Sequence, residues 1–429
     1  MVKKICLICL FACLAAAPVF SQGENLAIKI AVIGPGDQVY FWWGHIALVV
    51  EDANAGYSRF FDYGLFSFEN DNFYYNFAMG RLLYSTGVSL TERNIAGYIN
   101  TNRDIVIYTL DLPPKKRLEV LNFAMTNVLP ENRDYLYHHF KDNCCTRIRD
   151  IIDLATDGQF WEQFGQAPGR YTLRGHVRRH TWFSPAVDWI LNFWMGQVID
   201  TPTTVWEEMF LPSEVGKKIE DFWYTDENGE RRKLVTNVEV VNKSHGRPAV
   251  LDVPRKQWPR ELAFSLVLSV IFGFFFFLQA KNYRAGRILA GVSMSFAGLV
   301  FGIAGILLYF MNLFTEHDYT YENANMLFST PLLLAAIPLG LCYALTKKPE
   351  KLFIYGALLR LVWLLTALGV IVSMLIKIFP AFYQQNLTDQ MLFLPIALVF
   401  ALYPSGLRET VDRVSNKFFN RKKKSGSNS

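Results

Sequence analysis

The chain carries two unlike hydrophobic patterns. From residue 261 to 407, apolar residues come in long unbroken runs. Through residues 22–260 they come in short alternating or helically spaced groups among ordinary numbers of charges. A bilayer core is crossed by roughly 17–25 consecutive apolar residues. Five segments have that character: Leu262–Ala280, Ile288–Met311, Met326–Leu345, Leu352–Ile376 and Met391–Leu407. The pattern predicts an all-α five-helix transmembrane domain over 261–407. The connecting loops alternate in charge. Lys281–Arg287 and Lys347–Lys351 are basic, Glu316–Glu322 is acidic, and 384–390 is nearly neutral. Cytoplasmic loops carry the excess of Lys and Arg. The expected topology therefore puts 22–260 outside and the basic tail, 408–429, in the cytoplasm.

In the polar half, 28–33 and 45–50 read as strands, with Arg59–Tyr63 as a further candidate and Asn102–Leu110 as the clearest. Pro113-Pro114 opens a helix whose apolar spacing continues over Lys115–Val128. Asp142 or Asn143 can cap another, in which Ile148, Ile151, Ile152 and Leu154 recur at helical spacing. Mixed strands and helices predict an α+β domain over 22–215, with 216–260 as a connector to the membrane part. The first residues read as a secretory signal peptide, 1–21: Lys3 and Lys4, an apolar run from Ile5 to about Ala17, then small residues near Ser21. Leu10-Phe11-Ala12-Cys13 faintly resembles a lipoprotein cleavage box, but the apolar run before it is very short.

Composition changes this picture in two ways. The net charge of +5 is small and partly comes from Arg421-Lys422-Lys423-Lys424. With no basic stripe elsewhere, a nucleic-acid partner is not expected. Past the first fifteen residues, cysteine occurs only at Cys144, Cys145 and Cys342. An exported domain stabilised by disulfides spaces its cysteines along the chain. An adjacent pair makes a strained, poor staple. The remaining reading is a thiol kept for its chemistry. Cys144 would sit in the first turn of the helix after Asn143, where unpaired backbone N–H groups and the helix dipole favour a thiolate. A carboxylate at Asp142 would partly oppose this.

A nucleophile needs a base, and the base needs an orienting group. His45, in Phe41-Trp42-Trp43-Gly44-His45-Ile46-Ala47, opens a strand; His138 and His139 lie too near Cys144 in sequence to face it across a cleft. Asp62, a lone carboxylate in Phe60-Phe61-Asp62-Tyr63-Gly64, is the expected orienter. Taken singly, each of these residues also has a packing role.

The histidine on an early strand and the later Asn-Cys helix start resemble the circularly permuted NlpC-type papain-like fold, to which lecithin:retinol acyltransferase and its relatives belong. Trp43-Gly44-His45-Ile46-Ala47, Phe61-Asp62-Tyr63-Gly64, Gly80-Arg81-Leu82-Leu83-Tyr84 and Asp142-Asn143-Cys144-Cys145-Thr146-Arg147-Ile148-Arg149-Asp150 are more closely similar to the periplasmic domain of the Lnb family. The multi-span region is similar to the membrane part of the same family, more loosely. The resemblance implies a lipoprotein N-acyltransferase or transacylase with Cys144 as nucleophile and His45 as base. Cys145 would be a bystander, since that position is often serine in such sequences. The substrate-binding candidates are Trp42, Trp43, Tyr63 and Arg147. The implied partners are diacylglyceryl lipoproteins, phospholipid acyl donors, or both, at the bacterial inner membrane. No cofactor is implied, and no two His, Cys or Asp side chains sit at a recognised metal spacing.

Two other readings stand beside this one: an exported thiol amidase or peptidase acting on cell-wall peptide, and a non-enzymatic membrane protein that handles lipids or lipoproteins. Further features fit a lipid substrate. Arg170, Arg174, His176, Arg178, Arg179 and His180 precede Trp182, Phe183, Trp189, Phe193, Trp194, Trp206 and Phe210, a basic run beside an aromatic one. Core packing explains the same residues equally well. Arg360 falls well inside the fourth apolar segment, where a charge must find protein or water.

Overall fold

A computed structural model describes residues 23–68 and 72–402. The signal-peptide and cytoplasmic-tail expectations fall outside the described residues. The chain divides into two compact units. One comprises the chain up to Phe77 with Arg81–Tyr171 and Pro202–Ala249; the other comprises Ala78–Gly80, Thr172–Thr201 and the chain from Val250 onward.

The first unit is built on a seven-stranded antiparallel sheet. Its strands are β1 (Leu26–Ile33), β2 (His45–Asp52), β3 (Tyr57–Leu65), β4 (Leu83–Leu90), β5 (Ile105–Leu110), β6 (Asp134–Leu136) and an edge strand, Val235–Asn242, in the order β6-β4-β3-β2-β1-β5-edge. Alternation sends successive side chains to opposite faces. Ile28, Ile30, Ile46, Leu48, Val50, Phe61 and Tyr63 join the main core, to which the helices Pro114–Asn127, Cys144–Ala155 and Pro212–Glu220 also contribute. Ala31, Ile33, Ala47, Val49 and Phe60 form a thinner core on the other face, covered by Tyr98 of the helix Thr91–Asn100. The unit mixes sheet and helix, as the sequence predicts. The predicted connector is not all linker: Val235–Asn242 pairs with β5 from Ile105 to Leu110.

Among the described residues of the second unit, four stretches are long and apolar enough to cross a membrane: Trp258–Ala280, Arg284–Phe314, Ala324–Leu345 and Pro349–Ile378. The third begins as short 3-10 turns and becomes α-helical only at Ala336. The fifth predicted segment corresponds to a shorter apolar helix of 16 residues, Leu387–Leu402. Small residues let these helices approach closely. A Cβ on Gly291 would lie 2.6 Å from the Gly340 carbonyl oxygen. The Arg360 Nε donates to the Ala401 carbonyl oxygen at 2.9 Å, satisfying the charge that the sequence places inside an apolar run.

The Thr172–Thr201 segment belongs to this second unit. Arg174 is fully buried against Asp200 at 2.8 Å and donates to the carbonyl oxygens of Asn192, Met195 and Gly196. Arg178 donates to Asn192 Oδ1 and the Gln385 carbonyl, and Arg179 to the Leu251 carbonyl. Phe193 is buried and stacks on Phe393. These arginines and Phe193 are internal packing, so they do not form the exposed basic and aromatic faces considered for lipid headgroups.

Candidate active site

The site begins at a glycine. Gly44 adopts φ +83°, and a Cβ there would lie 2.6 Å from the Ile33 carbonyl oxygen. Only glycine makes this close, left-handed approach without strain. It feeds the chain into β2 with His45 as the first strand residue, opposite Ile33. On the neighbouring strand Asp62 pairs with Ala47. His45 and Asp62 are thus diagonal neighbours on one face of the sheet, within side-chain reach. His45 Nε2 donates to Asp62 Oδ1 at 2.8 Å. That bond leaves Nδ1 as the ring nitrogen for another partner.

The partner comes from the Cys144–Ala155 helix. Asn143, not Asp142, is its N-cap. Asn143 Oδ1 accepts from the backbone N–H groups of Cys145 and Thr146, at 2.8 and 3.0 Å, and the Thr146 hydroxyl accepts from the Asn143 N–H. Such a cap is worth about 1 kcal/mol. The Asn143 carboxamide also donates to the carbonyls of His139 and Phe210, which fixes the helix start in the fold. Asp142 turns away into a two-bond pair with Arg147, at 2.7 and 2.9 Å, so its charge is matched rather than aimed along the helix axis.

Cys144 is buried, its sulfur 3.8 Å from that of Cys145, and the His45 ring and the Ile46 N–H lie close enough to favour its ionised form. The two sulfurs are not bonded to each other. The Cys145 S–H is the donor when Cys144 is ionised, and this bond with the His45 charge and hydrogen bonds outweighs burial and holds the Cys144 thiol well below its usual range. Cys145 moves the opposite way, pushed up by burial and by the proton it shares. Burial opposes charge on His45, but Asp62, Tyr98 and Cys144 raise its pKa well above the ordinary histidine value. The resting state favoured by these environments is a thiolate–imidazolium pair with a carboxylate behind the imidazolium. Cys145 lies directly against the Cys144 sulfur.

The structure brings Cys144, His45 and Asp62 together. It places the other candidates differently. Tyr63 points to the opposite face of β3 from Asp62, is buried, and accepts from Asn127 Nδ2 at 3.2 Å. Tyr63 and Arg147 line a cavity of about 360 Å³ with Phe123, Asn127, Lys141, Asp142 and Asp150. Cys144 is not in that lining. The Arg147 guanidinium also sits 3.5 Å over the Tyr135 ring. Trp42 is buried, and its Nε1 donates to the Asp37 carbonyl at 3.1 Å; Trp43 is partly exposed. Sequence reasoning misses Tyr98, whose ring lies 6.4 Å from that of His45. It also misses Arg103 beside Tyr98. Nothing in the local pattern of either residue points to His45. Among the described residues, no group of three or more His, Cys, Asp or Glu side chains could hold a metal ion.

A buried cysteine, a partly buried histidine and a buried carboxylate on an α+β unit, joined to membrane-length helices, define a membrane protein whose polar unit carries a cluster of thiol, imidazole and carboxylate. The family model of the Lnb N-terminal periplasmic domain matches residues 20–176, and that of the Lnb transmembrane domain matches 256–403. The chain belongs to the Lnb family: it is a membrane protein with a periplasmic domain. No curated protein and no solved structure matches it.

Proposed function

We propose that this chain is a lipoprotein N-acyltransferase that carries a fatty acyl group on Cys144 and delivers it to the N-terminal amine of bacterial lipoproteins. The observation that carries the proposal is His45 bonded to Asp62 at 2.8 Å, with the Cys144 sulfur within electrostatic range of the His45 ring. The Cys144 thiolate attacks the ester carbonyl carbon of a glycerolipid. The Cys144 N–H, which the Asn143 side chain does not take while it accepts from the next two, serves as the donor to the developing oxyanion in this reading. As the tetrahedral adduct collapses, the C–O bond breaks and the His45 imidazolium gives its proton to the leaving alkoxide. The thioester then meets a neutral α-amine. Nitrogen attacks, His45 takes the amine proton, and the C–S bond breaks to return the thiolate. No metal or cofactor enters this sequence.

In this reading the periplasmic domain is of the permuted papain-like type. Leu387–Leu402 serves as a fifth span, which puts the C-terminus in the cytoplasm of a bacterial inner-membrane protein. Trp42 and Trp43 are the proposed acyl contacts, and the Tyr63–Arg147 cavity is the proposed site for polar parts of the substrate. The donor is the lipoprotein's own diacylglyceryl group, giving a lyso product, or a phospholipid, giving a triacylated one. Mass spectrometry of lipoprotein N-terminal peptides from cells with and without the gene tests the proposal. The expected result is an N-acyl group present only with the gene. Unchanged N-termini would remove the lipoprotein reading.

A further inference from the structure

Arg103 is almost completely buried, at 1 % exposure, yet among the described residues no carboxylate forms an ion pair with it. Its Nε donates to the Gly34 carbonyl at 2.9 Å, and its Nη2 is buried without a hydrogen-bond partner. The guanidinium carbon lies 4.8 Å from the centre of the Phe41 ring and 5.0 Å from that of Tyr98. Phe41 belongs to the loop that leads into Gly44 and His45, and the Tyr98 ring faces both His45 and Phe60. A buried cation without a direct anionic partner is costly unless the surrounding field compensates it. Asp62, His45 and Cys144, charged as a carboxylate, an imidazolium and a thiolate, leave one net negative charge. Arg103 lies within electrostatic range of both Asp62 and Cys144.

We infer that Arg103 is a positioning residue of the Cys144–His45 site: from between the Phe41 and Tyr98 rings it supplies the positive charge that balances Asp62, imidazolium and thiolate, and it holds the loop that delivers His45. The inference rests on the Cys144–His45 reading above. The other titratable and charged groups around the sulfur are Cys145 on its own helix, Tyr98 on the far face, and Tyr135 and Tyr137 beside β6. Arg147 and Asp142 pair with each other, Arg149 pairs with Asp150, and Arg247 pairs with Asp37 at 2.7 Å. None of these replaces Arg103 as the counter-charge.

The test is the pH dependence of Cys144 alkylation by iodoacetamide in the full-length protein in detergent, with fragment-ion mass spectrometry separating Cys144 from Cys145. Arg103→Met, which keeps the bulk and removes the charge, is expected to slow alkylation at pH 6 by about tenfold, because less of the thiol is ionised there, and to leave the rate at high pH unchanged. Arg103→Lys is expected to stay within about threefold of the parent at pH 6, since it keeps the charge. A folded Arg103→Met protein with the parental rate at pH 6 overturns the inference. So does an Arg103→Lys protein slowed as much as His45→Gln, which decides the matter if Arg103→Met does not fold. If the parent itself shows no thiolate below the ordinary range near pH 9.0, the Cys144–His45 reading fails instead.

Discussion

Asp62 Oδ1 lies 2.8 Å from His45 Nε2, and this contact decides which ring nitrogen the carboxylate holds. The carboxylate fixes the ring, leaves Nδ1 for another partner, and stabilises the imidazolium. Asp62→Asn keeps the shape and removes the charge. It is expected to lower acyl transfer on the order of 10²–10⁴-fold while leaving thermal stability nearly unchanged, as measured by turnover and melting temperature on the same preparation.

Acyl transfer should follow a bell-shaped pH profile whose limbs are set by Cys144 and His45. The Cys144 thiolate is lost as pH falls through its lowered pKa, so the acid limb lies well below 9.0. The His45 imidazolium is lost as pH rises through its raised pKa, so the alkaline limb lies well above 6.5. The plateau therefore lies between the lowered thiol limb and the raised imidazole limb. In His45→Gln the thiolate loses the imidazolium charge, and the midpoint of thiol reactivity moves toward 9.0, read from alkylation rates across the range.

The Cys145 sulfur lies 3.8 Å from that of Cys144, and Cys145 is the donor when Cys144 is ionised. Cys145→Ala removes that donor without touching His45. Activity at pH 6 is expected to fall about tenfold, and activity at pH 8.5 to stay within about threefold, because the change is one of protonation. Cys145→Ser keeps a donor and should remain closer to the parent at both values. A dead Cys145→Ala enzyme at pH 8.5 would mean that the nucleophile is the other sulfur.

Gly44 and Gly56 both have positive φ, but their surroundings differ. A Cβ on Gly44 meets the Ile33 carbonyl, whereas a Cβ on Gly56 meets nothing within 4 Å. Each alanine substitution carries a backbone cost of about 1–3 kcal/mol. Only Gly44→Ala must also shift the start of β2. The expected outcome is a lowered melting temperature in both and a loss of acyl transfer confined to Gly44→Ala.

The parts of this protein that a sequence exposes are those where one local rule acts alone. The β-branched apolar run over 46–50 and the helical recurrence of Ile148, Ile151 and Ile152 place two elements, and cysteine scarcity marks the residue at the start of one. Asp62 is visible because a carboxylate between Phe61 and Tyr63 demands a partner. Other features depend on contacts between distant segments. Val235–Asn242 joins the sheet only through its register with β5. Thr172–Thr201 is held in the second unit with Arg174 and Asp200 buried against each other, although both look like surface charges in the sequence. Tyr98 and Arg103 sit in an ordinary helix and turn, and nothing in their neighbours' spacing points to His45. Tyr63, one residue from Asp62, falls on the other face because a strand alternates.

The most direct measurement is the search for an acyl group on the Cys144 peptide after the purified protein meets a diacyl donor without an acceptor amine. The account predicts a mass increase of one acyl chain on Cys144, released by neutral hydroxylamine, abolished in Cys144→Ala and strongly reduced in His45→Gln. An adduct that persists in Cys144→Ala, or no adduct on the parent protein from either a lipoprotein or a phospholipid donor, would contradict it.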